Sequence, residues 1–378
     1  VVSAATAHTA RPAVSAAPLA TIVPSPVAGS VAPVAPAQAT ALWTLLASGR
    51  RGATATGTPP AGVSDVQVSA TATPVRFTGQ PTVVTQVLVA GLRLVKAIGK
   101  LVGLNLGGSG LAILPSTSPP PLVTQGLNVQ QTEFDGWQVW VLQPASPSGK
   151  YIVGLHGGGF NLQPTILHWY DYASIVRNTG ATVIVPIYPL AQDGGTAATV
   201  VPQTADLISS LIDEHGADAV SVYGDSAGAN IALAAAQELV RRGDPTPARI
   251  VLISPVVDLS MSNPAISLID DPVLGGGDGA NASGLLWSGG DLTDPLASPL
   301  FGSLEGLPPT WVYTGSLELL APDVLRLQDK AIAAGADFTF ILRKGEIHDW
   351  AGPGSIFPFT EGAAVRPQIY RQLVGDDA

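Results

Sequence analysis

The sequence predicts an α/β fold built on a mostly parallel eight-stranded sheet. Three observations predict it. Short apolar runs (YIVGL, TVIVPI, AVSVY, RIVLIS, TWVYTG and FTFIL) recur from residue 151 onward. Stretches of helical character separate them, near 167–178, 198–214, 227–241 and 322–334. Ahead of them, two alternating segments flank an Asp135-Gly136 pair. Strands buried in a parallel sheet read as continuous apolar runs, and alternation with helices covers both sheet faces. An Asp-Gly pair between alternating segments marks a hairpin.

The elements follow in chain order. Residues 1–60 are rich in Ala, Pro, Ser, Thr and Val, and the stretch PSPVAGSVAPVAP favours extended polyproline II backbone. An extended or poorly ordered arm is expected there, with helical character only in LWTLLASGRR. Residues 83–106 read as a helix, nearly all apolar, with the charged Arg93, Lys96 and Lys100 along one side. Val87, Leu94, Ile98 and Leu101 share a second side. Packing on its own protein is the expectation; contact with a lipid interface is the alternative. LNVQQTEF and WQVWVLQ form the hairpin, and the six parallel strands follow. The glycine-rich stretch 275–293 reads as a loop at the rim of the sheet.

Composition narrows the function. At 378 residues the chain fits one α/β domain with a tail, or two to three domains. An apolar content of 46% excludes wholesale disorder. No apolar run approaches the ~18 residues of a membrane-spanning helix. The absence of cysteine excludes disulfides, thiolate catalysis and Cys-type metal sites. The net charge is −10. Residues 1–60 hold Arg11, Arg50 and Arg51 and no acid, which leaves 15 bases against 28 acids, or −13, for the rest. So acidic a chain repels phosphate backbones, which argues against a nucleic-acid partner.

Ligands of open α/β sheets sit beyond the carboxyl ends of the strands, so the residues after each strand carry the chemistry. After AVSVY stands Gly224-Asp225-Ser226-Ala227-Gly228, followed by an apolar helix. Gly-x-Ser-x-Gly between strand and helix permits a sharp turn that exposes a serine hydroxyl. After YIVGL stands His156-Gly157-Gly158-Gly159-Phe160. Acyl transfer needs donors aimed at a developing oxyanion, and glycine amides approach a substrate closely. The amides of Gly158, Gly159 and Ala227 are assigned to that hole.

A nucleophilic serine needs a base. His348 follows the last strand, where the order Ser, acid, His places it. His8 lies in the arm, His156 opens the glycine loop, and His168 and His215 belong to helices as structural residues. The acid should follow TWVYTG. Glu318, just after that strand, is the favoured candidate, and Asp323, at the next helix start, is the alternative. Asp225 and Asp258 read as structural carboxylates, and Trp287 as either a substrate contact or a core anchor. No histidines stand at metal-ligand spacing, and the chemistry needs no cofactor or metal.

The HGGG loop and the GDSAG elbow resemble those of the hormone-sensitive-lipase group of the α/β-hydrolase superfamily. HWYDYASIVRNTGATVIVPIYPL, SVYGDSAGANIALAAAQ, DPLASPLFGSLEGLPPTWVYTGSLE and IHDW are similar to mycobacterial triacylglycerol lipases of that group, which carry an N-terminal PE domain. The resemblance implies an α/β-hydrolase fold with a helical cap over the site. It implies hydrolysis of acyl esters, acylglycerols among them, by a catalytic triad of Ser226, Glu318 and His348. The chain then divides into the arm 1–60, a helical cap or linker 61–126, and a catalytic domain 127–378. Two residues depart from the group's pattern: Glu318 stands where Asp is usual, and Ala229 replaces a common glycine. Residues 1–60 do not read as a PE domain but resemble the Ala/Pro-rich starts of exported mycobacterial proteins, which implies a secreted or cell-envelope location. A short-chain carboxylesterase and a non-catalytic hydrolase-fold binding protein are the rival readings.

Overall fold

The turn at Asp135-Gly136 sets the first strand pair. Both residues take left-handed φ angles, 45° and 82°, as a two-residue hairpin turn requires. The structure, a computed structural model, describes residues 77–101, 115–275 and 278–375. The arm expected over 1–60 lies outside the described residues, as do 61–76 and 102–114.

Strands β1 (Asn128–Phe134) and β2 (Trp137–Gln143) form the hairpin, with Phe134 opposite Trp137. Six further strands follow: β3 (Tyr151–Leu155), β4 (Thr182–Ile187), β5 (Val220–Asp225), β6 (Arg249–Ile253), β7 (Thr310–Gly315) and β8 (Phe338–Arg343). They make one sheet in the order β1-β2-β4-β3-β5-β6-β7-β8. β2 runs antiparallel to β4, and every pair from β4 to β8 is parallel. The predicted strands therefore form the predicted mixed sheet.

Seven α-helices are described: α1 (Val83–Leu101), α2 (Ile166–Thr179), α3 (Ala197–His215), α4 (Ser226–Arg242), α5 (Asp278–Trp287), α6 (Ala321–Ala334) and α7 (Glu361–Val374). Apolar residues of α3, α4 and α6 build the core on one sheet face. Those of α2 and α7, with Val89 of α1, build it on the other. Glycines in left-handed conformation end α2, α4 and α6, where a Cβ would be strained.

Two elements differ from the sequence expectation. The stretch 275–293 is not wholly a loop, because α5 runs through it to Trp287. Trp287 is fully buried and stacks on Phe160 at 4.5 Å. That tertiary contact outweighs the low helix propensity of Gly279 and Gly284. Helix α7 went unanticipated, and Pro367 inside it masks the signal. Val365, Ile369 and Leu373, spaced by four, are its buried stripe.

Helix α1 leaves much of its apolar side exposed. Thr85 and Val89 are buried, whereas Val87, Leu94, Ile98 and Leu101 are exposed. The basic side engages protein: Arg93 pairs with Asp270 at 3.1 Å, and Lys96 Nζ donates to the Leu274 carbonyl at 3.1 Å. Just ahead of α1, Thr78 pairs in parallel with Arg343 at the free edge of β8. Ser116 and Thr117 accept bonds from the indoles of Trp169 and Trp140, which ties that segment to α2 and β2.

Candidate active site

Strand β5 ends at Asp225, and α4 begins at Ser226. Ser226 is held at φ 50°, a left-handed conformation rare outside glycine. Gly228 makes this turn possible, since a Cβ there would collide with the Leu155 carbonyl at the end of β3. The elbow is thus pressed against the strand that feeds the glycine loop. Its carbonyl side is fixed as well: Ser226 O accepts the amide of Val256 at 3.2 Å.

The loop 156–160 closes onto the serine. A Cβ on Gly157 would collide with the Asp225 carboxylate and stand 3.1 Å from Ser226 Cβ. The Gly157 amide donates to Asp225 Oδ2 at 3.1 Å. Gly158 and Gly159 follow with φ of 116° and 59°. The Gly158 carbonyl accepts from Asn161 and Leu162 and folds the loop into a turn. Ala227 stands in the first turn of α4, where backbone amides lack helical acceptors. Gly158 and Gly159 thus follow directly on Gly157, the glycine that approaches Ser226, and Ala227 follows the serine itself.

Loops after β7 and β8 deliver the other two groups. His348 Nε2 lies 3.0 Å from Ser226 Oγ. His348 Nδ1 lies 2.8 Å from Glu318 Oε2. The other carboxylate oxygen of Glu318 accepts the Gly315 amide at 2.7 Å and the Thr314 hydroxyl. Glu318 is fully buried, and His348 nearly so. Asp323, the alternative acid, instead binds Arg326 at 2.9 Å and Asn263 at 3.1 Å. Asp258 also holds Arg326, at 2.7 Å.

The remaining described histidines differ in role. His156 bonds through Nδ1 to the Gly157 carbonyl at 2.7 Å and stacks on Tyr188. Burial and the nearby His168 push it down to about 3, so it stays neutral. His215 stacks on Tyr151 at 3.7 Å. His168 does more than the sequence suggested. Its Nδ1 accepts the amide of Thr165, the residue whose hydroxyl caps α2, and its Nε2 meets Asp225 Oδ2 at 3.1 Å. The Thr165-x-x-His168 spacing was the available signal. Burial opposes a charge on this ring, while Asp225 beside Nε2 favours one.

Two acids near the site had no sequence signal. Asp271 accepts the amides of Val273 and Leu274, and its second oxygen accepts that of Leu319 at 2.8 Å. It thereby grips the loop carrying Glu318. Asp349 places Oδ2 3.2 Å from His348 Nε2. Burial opposes the imidazolium, yet Asp349, Glu318 and Asp271 together raise His348 well above the ordinary value. Among the described residues, no group of three or more His, Asp or Glu could hold a metal ion.

Comparison with known proteins gives this geometry a family. The alpha/beta hydrolase fold family matches residues 152–352. The chain belongs to that family. A protein of Mycobacterium tuberculosis named triacylglycerol lipase is 47% identical over 259 residues, covering 68% of this chain and 54% of that protein. The chain thus spans about half the length of that relative. An acetyl-hydrolase of Streptomyces hygroscopicus is 32% identical over 213 residues, covering 56% of this chain and 71% of that protein. A solved esterase of the bacterial hormone-sensitive lipase family shares the fold, with a TM-score of 0.64, at 24% identity. It is matched over 78% of this chain and 100% of its own.

Proposed function

We propose that the protein is a serine carboxylic ester hydrolase of the lipase and esterase type. One observation carries this reading: Ser226 Oγ, His348 and Glu318 form a continuous chain of contacts of 3.0 and 2.8 Å. Ser226 attacks the ester carbonyl carbon while His348 Nε2 takes its proton. Glu318 holds the ring and stabilises the imidazolium. The amides of Gly158, Gly159 and Ala227 receive the oxyanion. His348 then protonates the departing alkoxide, and an acyl-Ser226 ester remains. Water, deprotonated by the same histidine, releases the acid and restores the serine.

Acylglycerols are the proposed substrates. Support comes from the name of the relative from M. tuberculosis and from the exposed apolar side of α1, which suits contact with a lipid interface. The name of the Streptomyces relative favours short acyl chains as the second reading. Initial rates on p-nitrophenyl esters of two to sixteen carbons separate the two, with Ser226→Ala as the blank. A maximum at long chains, with emulsified triacylglycerol also cleaved, supports the lipase. A steep fall beyond short chains supports the carboxylesterase, and a Ser226→Ala protein with wild-type rate removes both. We further propose a secreted or cell-envelope location, on the composition of residues 1–60 alone, to be checked by fractionation of expressing cells.

A further inference from the structure

His348 Nε2 has two partners on the side that the ester must occupy. One is Ser226 Oγ at 3.0 Å, and the other is Asp349 Oδ2 at 3.2 Å. An imidazole nitrogen carries one hydrogen or one lone pair, so these two contacts compete. With the ring charged, the Asp349 carboxylate holds that charge by ion pairing at 3.2 Å, and a protonated Nε2 has no lone pair to accept the Ser226 proton. With the ring neutral and Nδ1–H bound to Glu318, the Nε2 lone pair accepts from Ser226, as attack requires.

Asp349 is built into this position. Its backbone is held at φ 58°, and its amide donates to Ser254 Oγ at 3.0 Å. Ser254 itself sits at φ 45°, with its amide bonded to the Tyr313 carbonyl. The other carboxyl oxygen, Oδ1, is buried without a hydrogen-bond partner. His348 is therefore the group that this side chain serves. Its side chain keeps 20% exposure, so solvent or substrate can reach it.

We infer that Asp349 is a positioning residue that draws the Nε2 proton of His348 away from Ser226 and so sets the pH at which the base becomes available. This inference rests on the triad reading above. The charged and titratable groups around the pair are Glu318 after β7, Asp271 in the loop 270–274, Asp225 at the elbow and His168 on α2. Glu318 and Asp271 favour the charged ring, while Asp225 acts on the Asp349 carboxyl. The fourth, His168, is paired with Asp225. Burial, with Asp225 and Glu318 nearby, also raises the Asp349 carboxyl above its usual range, while His348 opposes this. The pair therefore shares its protons closely. Attack by Ser226 must await loss of one proton from the pair to solvent.

The test is the pH dependence of kcat/KM on a soluble p-nitrophenyl ester, together with the rate of Ser226 labelling by a fluorophosphonate. Asp349→Asn removes the charge and keeps a residue suited to left-handed backbone, and Asp349→Gly removes the side chain at the same φ. Both variants should move the acidic limb of both profiles down by about one pH unit or more, the usual effect of removing one adjacent charge. One unit below the wild-type midpoint, each should retain a several-fold larger fraction of its own plateau rate than wild type does. Limbs that coincide with wild type overturn the inference, as do two natively melting variants that are inactive at every pH. Labelling of wild type with an unmoved limb in the variants defeats the role of Asp349 alone. A wild-type protein that neither labels nor turns over defeats the triad reading itself.

Discussion

Glu318 reaches His348 with one carboxylate oxygen, 2.8 Å from Nδ1, while Gly315 and Thr314 hold the other. The longer side chain thus spans from its own strand end to the imidazole without leaving either oxygen unpaired. Glu318→Gln should lower kcat/KM by about 10³–10⁴-fold, since the amide no longer stabilises the correct tautomer and the imidazolium. Glu318→Asp should also lose activity, because the shorter side chain cannot reach both His348 and Gly315. Asp323→Asn should keep near-wild-type turnover, because that carboxylate serves Arg326 and Asn263. Parallel kinetics of the three variants check this, and a larger loss in Asp323→Asn than in Glu318→Gln would reverse the assignment.

Asp225 joins the nucleophile turn to the glycine loop through Gly157 and to α2 through His168. Asp225→Ala leaves two buried donors unpaired, at a cost of about 1–3 kcal/mol each. We expect a lower melting temperature and a kcat reduced by tenfold or more as the loop 156–160 loosens. Thermal melts and steady-state rates on one preparation check both parts. A fall in kcat at unchanged stability would instead give Asp225 a part in the chemistry.

Trp287 is a core anchor rather than a substrate contact, being fully buried against Phe160. Trp287→Ala should cost about 3–5 kcal/mol of stability, the range for deleting a large buried aromatic. Denaturant unfolding measures it. An unchanged midpoint would contradict the packing.

The exposed apolar side of α1 predicts a division between substrates. Replacing Leu94, Ile98 and Leu101 together with Gln should leave hydrolysis of soluble p-nitrophenyl butyrate within about twofold and reduce that of emulsified triacylglycerol much more. Apolar area buried in lipid drives such contact. Equal effects on both substrates would return α1 to a packing role.

Glu346 carries a pH signal of its own. Thr85 of α1 donates to it at 3.2 Å. Burial pushes its carboxyl up to about 7 from an ordinary 4.5; the Thr85 bond and Arg343 oppose this, and Glu361 adds to it. Between those two values the folded protein keeps a proton that the unfolded chain has lost. Stability from this group is therefore fully present below about 4.5 and falls as pH rises toward 7. Glu346→Gln keeps the acceptor for Thr85 and removes the titration. Its stability relative to wild type should climb across that window, by about 3 kcal/mol, and level off above it. Melts from pH 4 to 8 read the difference, and a constant offset would place the ionisation elsewhere.

Much of the fold was legible because its signals are local. Strand periodicity, the Asp135-Gly136 turn and the glycines around Ser226 constrain a few neighbouring residues, and each is visible in a short window. Helix α5 was hidden because burial of Trp287 on Phe160, far off in sequence, outweighs its glycines. Helix α7 was hidden by Pro367. The acids Asp271 and Asp349 were invisible as partners of the site, since nothing in their neighbours marks them.

The sequence by itself determined which residue types stand at the carboxyl ends of the strands: Ser226, the loop 156–160, Glu318 and His348. It could do so because backbone conformation and strand direction follow from local sterics and patterning. Only the tertiary structure decided that Glu318 rather than Asp323 meets His348, that His168 supports Asp225, and that Lys96 of α1 ties to the loop 270–274. Those outcomes depend on distances of about 3 Å between groups as many as 178 residues apart in the chain. Packing of the whole sheet and its helices sets such distances, and no local window contains them.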